Sequence, residues 1–168
     1  MSFRVVFFKD RLKFSAAHFT LFADGEVERL HGHNFRVEVT LEGKQLEKGL
    51  LLPFHHVKPV VDELCAEWDE RVLLPARSAW LRLEERDGQI EAHLKTPKCR
   101  KYYSLPAEDV VLLDCDNISS ENLAQVFLNR LATRLESMIP RLIGLEVAIS
   151  ESSGQKVVVT TDFDRPCS

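Results

Sequence analysis

Apolar and polar residues alternate along Phe35-Arg36-Val37-Glu38-Val39-Thr40-Leu41-Glu42, the pattern of a strand with one buried face. The clearest predicted strand therefore covers 33–42. Residues 3–18 also read as extended, with a kink near Lys9-Asp10. The intervening loop, 19–30, holds a turn signal at Ala23-Asp24-Gly25-Glu26. Over 54–69 the period changes: Val57, Val60, Val61, Leu64, Cys65 and Trp68 recur at helical spacing. Pro59 is expected in that helix's first turn, where its missing N–H costs least. Two alternating runs flank Arg86-Asp87-Gly88 and predict a hairpin over 79–95. Residues 97–117 read as irregular or partly extended. A second helix is expected over 119–138, with Leu123, Val126, Phe127, Leu131, Leu135 and Met138 along one stripe and Arg130 and Arg134 flanking it. Ser119-Ser120-Glu121 caps it with a favourable first-turn charge, and Pro140 stops it. A last hairpin, 142–150 and 155–163, turns at Ser152-Ser153-Gly154. Strand, strand, helix, hairpin, helix, hairpin is the order of an α+β domain with helices on one face of an antiparallel sheet. No repeat or linker interrupts it, so 1–168 is read as one domain.

Composition removes some functions. The net charge of −4 argues against nucleic acid as the main partner, since phosphate contacts need a basic face. No apolar run approaches the ~18 residues of a membrane span, and Arg4, Lys9 and Asp10 break the N-terminus as a signal segment. Cys65, Cys99, Cys115 and Cys167 form no C-x-x-C pair. They read as reduced thiols of a cytoplasmic protein, with Cys65 in the core.

The chemistry concentrates at His31-Gly32-His33-Asn34. Residues two apart on a strand share a face, about 6.8 Å apart, so His31 and His33 can aim at one point. His18 ends the run Arg11–His18 and can join them if the two strands pair. Three imidazoles with an open fourth position make a catalytic zinc arrangement. Gly32 is expected to mark close approach of another group. By parity Asn34 and Glu38 face away. His93 reads as a surface residue, and His55 and His56 as solvated helix-start residues. Glu38 after H-x-H superficially fits a cupin motif, but the second cupin element is missing and 54–69 is helical.

Phe14-Ser15-Ala16-Ala17-His18 followed by His31-Gly32-His33-Asn34-Phe35 resembles the 6-pyruvoyl-tetrahydropterin synthase and 6-carboxy-tetrahydropterin synthase family. Gly49–Phe54, Asn117–Asn122 and Ser150–Ser153 match further family segments in order. The resemblance implies a T-fold: a four-stranded antiparallel sheet with two helices on one face, here with an extra hairpin insertion within 76–106. It implies zinc held by His18, His31 and His33, and a reduced pterin as small-molecule substrate, anchored by Glu151 with Ser119 and Ser120 beside it. A carboxylate accepts two parallel hydrogen bonds from the pterin's guanidine-like edge. It also implies a homo-oligomer, trimeric or hexameric, with sites at subunit interfaces.

This chain departs from the family where the chemistry is decided. The loop 19–30 has no cysteine, and Glu70 follows Asp69 where the family has Asp-His. Glu28-Arg29-Leu30-His31-Gly32-His33 instead has the form E-x-x-H-G-H. It resembles a folate-branch subgroup that cleaves the side chain of 7,8-dihydroneopterin triphosphate to leave 6-hydroxymethyl-7,8-dihydropterin. Glu28 is then the candidate base of a retro-aldol step. Asp69 and Glu70 are candidates for a second proton relay, or for an ion pair with Arg71. The alternatives are a non-catalytic pterin- or purine-binding paralogue that keeps the zinc site, and an unrelated zinc hydrolase. Lys98, Arg100 and Lys101 form the one compact basic cluster, a solvated face or a contact for the triphosphate. Tyr102 and Tyr103 read as stacking on a pterin or as hairpin packing.

Overall fold

The computed structural model describes residues 1–136 and 142–163. Ten strands, two α-helices and one short 3-10 turn appear among them. Strand β1 is Phe3–Phe7 and β2 is Lys13–His18. Both pair antiparallel with one edge of the 13-residue β3, His31–Gly43, β2 along its first half and β1 along its second. They behave as one strand broken near Lys9-Asp10, as the sequence suggested. Leu12 sits in the break; its N–H donates to the Lys9 carbonyl, and its carbonyl accepts from Val37 N–H.

Helix α1, Phe54–Trp68, buries Val57, Val61, Leu64, Cys65 and Trp68. Pro53, extended at φ −74°, is its N-cap. Pro59 therefore lies in the second turn and not the first, because the helix starts before its apolar stripe does. The displacement removes one backbone donor inside the helix. His55 and His56 occupy the exposed first turn, as expected. Helix α2 is described over Ser120–Glu136. The Ser119 hydroxyl accepts the Asn122 N–H and caps it. Met138, Pro140 and Cys167 lie outside the described residues. Strands β9, Leu142–Ser152, and β10, Gln155–Asp162, form the expected last hairpin, with Gly154 at φ +103° in the turn.

The antiparallel order is β10-β9-β3 and then β1 or β2. Both helices lie on the face carrying Phe14, Phe35, Val37, Val39, Leu41, Leu145, Val147 and Ile149, all buried. Sheet and helices meet through an aromatic column. Phe14 stacks on Phe35 at 4.8 Å, Trp68 meets the edge of Phe14 at 5.2 Å, and Phe127 meets Trp68 at 5.5 Å. Such pairs add about 0.5–1.5 kcal/mol each beyond area burial. The helices are also tied by Glu67 of α1, which pairs with Arg130 and Arg134 of α2.

The sheet is wider than expected. β4, Arg71–Pro75, adds in parallel to β2, and β8, Val110–Leu113, adds in parallel to β4. Strands of four or five residues are too short to show a period, and their partners lie far away in the sequence. The insertion is likewise more than a hairpin. β5, Leu81–Arg86, and β6, Gln89–Lys95, turn at Asp87-Gly88, both at positive φ. β7, Arg100–Pro106, then completes a separate three-stranded sheet. So much of 97–117 is strand, the extended of the two readings. This small sheet buries Leu81, Ile90, Ala92 and Leu94 against Phe19, Leu21 and Leu74.

Among Cys65, Cys99 and Cys115, burial pushes the Cys65 thiol up to about 12 and Cys115 up to about 11. The reactive form is the thiolate. In the native protein at pH 8, a thiol-specific disulfide reagent should therefore modify Cys99 and leave Cys65 and Cys115 unreacted. Peptide mapping before and after unfolding checks this.

Candidate active site

The strand register builds the cluster. His18 ends β2 directly opposite His31 at the start of β3, and His33 follows two residues on. Ring centroids lie 4.8 Å (His18–His31), 5.4 Å (His18–His33) and 4.8 Å (His31–His33) apart. One ligating nitrogen from each ring lies within 4.8 Å of the others. Phe35 closes the row from below, at 5.6 Å from His18 and 5.7 Å from His33. The aromatic column of the core thus fixes the inner side of the site.

Backbone carbonyls orient the rings. His18 Nδ1 lies 3.0 Å from the Ile118 carbonyl, and His31 Nδ1 lies 2.7 Å from the Arg29 carbonyl. A carbonyl accepts only, so each Nδ1 carries a proton and each Nε2 is turned to the centre. His31 Nε2 and His33 Nε2 are 2.9 Å apart. His18 Nε2 is buried with no hydrogen-bond partner. Burial holds the His18 imidazolium below its ordinary pKa, outweighing the Ile118 carbonyl and the charge of Glu151, which favour protonation. A His18 ring held toward its neutral form by burial, its orphaned Nε2, and carbonyl-oriented rings at His18 and His31 suit a zinc ligand set. The residues fit the metal.

A cleft of about 440 Å³ is lined by Thr20, Glu28, Ser119, Ser120, Glu151 and Lys156, among others. It brings together four residues picked from the sequence. Glu151, at the end of β9, accepts the Ser120 hydroxyl at 2.8 Å and lies near enough to His18 to act on its charge. Ser119 caps α2 at the rim. Glu28 comes from the loop 19–30, whose bridge between Leu21 and Val27 sets Glu28 beside Thr20. Glu28 N–H donates to the Thr20 carbonyl at 3.1 Å, and Glu28 Oε2 accepts the Thr20 N–H at 3.1 Å.

Asp69 and Glu70 are not brought to Glu28 within the chain. Asp69 Oδ1 accepts the Ser15 N–H at 2.6 Å, and Glu70 N–H donates to the Ser15 carbonyl at 2.6 Å. Glu70 has φ +57°, the left-handed turn that takes α1 into β4. Its side chain lines a second depression with Ser15, Ala17, Gly32, His33 and Asn34. No ion pair joins Asp69 or Glu70 to Arg71 among the described residues. Gly32 lines the same depression. A Cβ there would meet the Ala16 carbonyl at an ordinary 3.5 Å, so the expected close approach is absent.

Other expectations resolve here. Asn34 and Glu38 do face away: Asn34 accepts the Ser15 hydroxyl and Glu38 pairs with Lys156. Two members of the basic cluster are engaged, Lys98 by Asp24 and Glu26 and Lys101 by the Glu28 carbonyl, while Arg100 is exposed. Tyr103 stacks on Phe19 at 5.7 Å as packing, while Tyr102 is exposed beside His93. Sequence reasoning missed the role of Asn117, whose amide both donates to the Leu21 carbonyl and accepts its N–H. That clamp seats the loop against the start of α2. Asn117 stood in a matched segment, but nothing local marks a backbone clamp 96 residues away.

Comparison with known proteins adds four findings. The family model described as 6-pyruvoyl tetrahydropterin synthase matches residues 8–162. A Methanocaldococcus jannaschii protein with the provisional name 6-carboxy-5,6,7,8-tetrahydropterin synthase is 33% identical over 146 residues, 86% of each chain. A Pyrococcus furiosus dihydroneopterin monophosphate aldolase is 40% identical over 73 residues, 44% of this chain and 59% of its own. Among solved structures, a Plasmodium vivax 6-pyruvoyltetrahydropterin synthase superposes with TM-score 0.89 at 26% identity, covering 97% of this chain and 99% of its own. In that structure a catalytic residue, a glutamate, has been changed to alanine.

Proposed function

This chain belongs to the 6-pyruvoyl tetrahydropterin synthase family, and from that premise we propose that it is a zinc-dependent lyase of a reduced pterin. The substrate is 7,8-dihydroneopterin triphosphate or a close relative, and the product is 6-hydroxymethyl-7,8-dihydropterin. The observation that carries the reading is one cleft holding Glu28 and Glu151, with His18 within reach of the Glu151 charge. Three further facts support it: no cysteine stands in the loop, a Plasmodium relative uses a catalytic glutamate, and a relative is named as an aldolase.

His18, His31 and His33 would hold the zinc ion, which supplies Lewis-acid polarisation of a substrate hydroxyl. Glu151 binds the amino group and ring N–H of the pterin, with the Ser120 hydroxyl fixing the carboxylate. Glu28 takes the proton of the second side-chain hydroxyl. The C–C bond between the two hydroxyl-bearing carbons breaks, and its electron pair enters the ring imine. The carbon left on the ring then takes up a proton, and the departing two-carbon fragment leaves as an aldehyde. Thr20 N–H holds Oε2 of Glu28 throughout.

We further read the protein as a cytoplasmic trimer or hexamer, in which the Asp69–Glu70 depression of one copy can face the cleft of the next. The uncovered edge of β10 and the polar sheet face with Asn34, Arg36 and Glu38 support that reading. No helix of the described residues is long and apolar enough to cross a membrane.

Incubation of the zinc-loaded protein with 7,8-dihydroneopterin triphosphate tests the function. The expected products are hydroxymethyl-dihydropterin and the aldehyde. Unchanged substrate in the presence of bound metal would favour a pterin-binding paralogue. Glu151→Gln should weaken pterin binding by about 10- to 100-fold, the worth of a charge-assisted hydrogen bond of ~1.5–3 kcal/mol. Isothermal titration with a reduced pterin measures it.

A further inference from the structure

We propose that the three-stranded insertion is a positioning platform for the segment carrying Glu28, and that Lys101 is its positioning residue. The inference rests on the reading of Glu28 as the base. Strand β7 alternates: Lys101, Tyr103 and Leu105 are partly buried, while Arg100, Tyr102 and Ser104 are exposed. The inward row belongs to the apolar cluster, in which Tyr103 and Leu105 pack. A lysine in that row has its ammonium partly withdrawn from water, which favours a hydrogen-bond partner. Lys101 Nζ donates to the Glu28 carbonyl at 2.6 Å. It thereby fixes the backbone from which the Glu28 side chain enters the cleft.

Other contacts weld the same segment to the same sheet. Thr96, between β6 and β7, donates its hydroxyl to the Gly25 carbonyl at 2.6 Å. Lys98 Nζ pairs with Asp24 and Glu26 at the loop tip. Gly25, at φ +88°, packs so closely on Pro97 that a Cβ would lie 2.9 Å from its ring. Phe19 and Leu21 enter the apolar cluster of the sheet, with Val27 and Leu30 packed against it. The segment 19–30 is therefore anchored to the insertion at its tip, through its apolar side chains and at the Glu28 carbonyl. In the general case, misplacing a catalytic group by about 1 Å costs on the order of 100-fold in rate. A base on a loop needs this kind of external support, since a loop alone is among the more mobile parts of a fold.

Lys101→Met in the full-length, metal-loaded protein tests the assignment, because methionine keeps the apolar stem and removes the donor. Amide exchange across 20–30 is expected to quicken about tenfold relative to the rest of the chain, with zinc content unchanged. kcat is expected to fall roughly 10- to 100-fold with KM little changed, and Lys101→Arg is expected to restore both readouts. Unchanged exchange across 20–30 in Lys101→Met overturns the proposal. So does a kcat equal to that of the unaltered protein. If the unaltered protein turns over no pterin, the catalytic reading fails, and exchange alone decides whether Lys101 holds the segment.

Discussion

Replacing Glu28 with glutamine is expected to lower kcat by about 10²–10⁴, the usual worth of a positioned general base. Zinc content, thermal stability and pterin affinity should stay close to those of the parent. The substitution is nearly isosteric, and the glutamine carbonyl oxygen can still accept the Thr20 N–H that Oε2 now accepts. The fold of the loop is therefore preserved, and only the ability to take a proton is lost. A loss confined to kcat marks an interaction made in the transition state. Single-turnover assays with 7,8-dihydroneopterin triphosphate, alongside metal analysis and pterin titration, separate these quantities. Retained turnover would shift the base to another carboxylate, with Glu70 the first to test. A pterin-binding paralogue would show no chemistry in either protein.

Much of this site was legible because its parts are local or paired by register. The H-x-H spacing on an alternating strand puts two rings on one face whatever the rest of the chain does. Pairing of His18 with His31 follows once β2 lies antiparallel to β3. The apolar stripes of α1 and α2 were equally plain, since a helix facing a core must repeat its apolar residues. What escaped was non-local. β4 and β8 are short and gain their identity from parallel neighbours, so no period of their own betrays them. β7 was hidden because its inner row mixes Lys101 with Tyr103 and Leu105, and a lysine on the inward face reads as a break in alternation. Its partner, a backbone carbonyl 73 residues earlier, leaves no trace in the sequence. Asp69 was legible only as an acidic residue at a motif position; that its carboxylate accepts the Ser15 N–H, 54 residues earlier, is again a non-local contact.

The second large effect concerns His18. Alanine at this position is expected to take bound zinc from one ion per chain to near zero and to abolish turnover. His18 is 1% exposed, and its Nε2 has no protein partner. A buried polar atom left unsatisfied costs about 1–3 kcal/mol, and on the proposed reading this lone pair is the one that meets the metal. His31 and His33 are partly exposed and adjacent on one strand, so on their own they would grip an ion weakly. The third ligand closes the set and comes from a different strand, which couples the metal to the β2–β3 pairing. Zinc at a thousand times its Kd should stabilise the parent by about 4 kcal/mol and should leave His18→Ala unmoved; thermal melts with and without a chelator measure the difference. His93→Ala is the control. His93 forms a second potential ligand group with Glu84 and Glu91 on the insertion, but that group is partly exposed and lies beside Tyr102 rather than the cleft. Zinc content and turnover should survive its loss. If zinc instead followed His93 and ignored His18, the cleft of Glu28 and Glu151 would have no metal to work beside, and the proposed chemistry would fall with it.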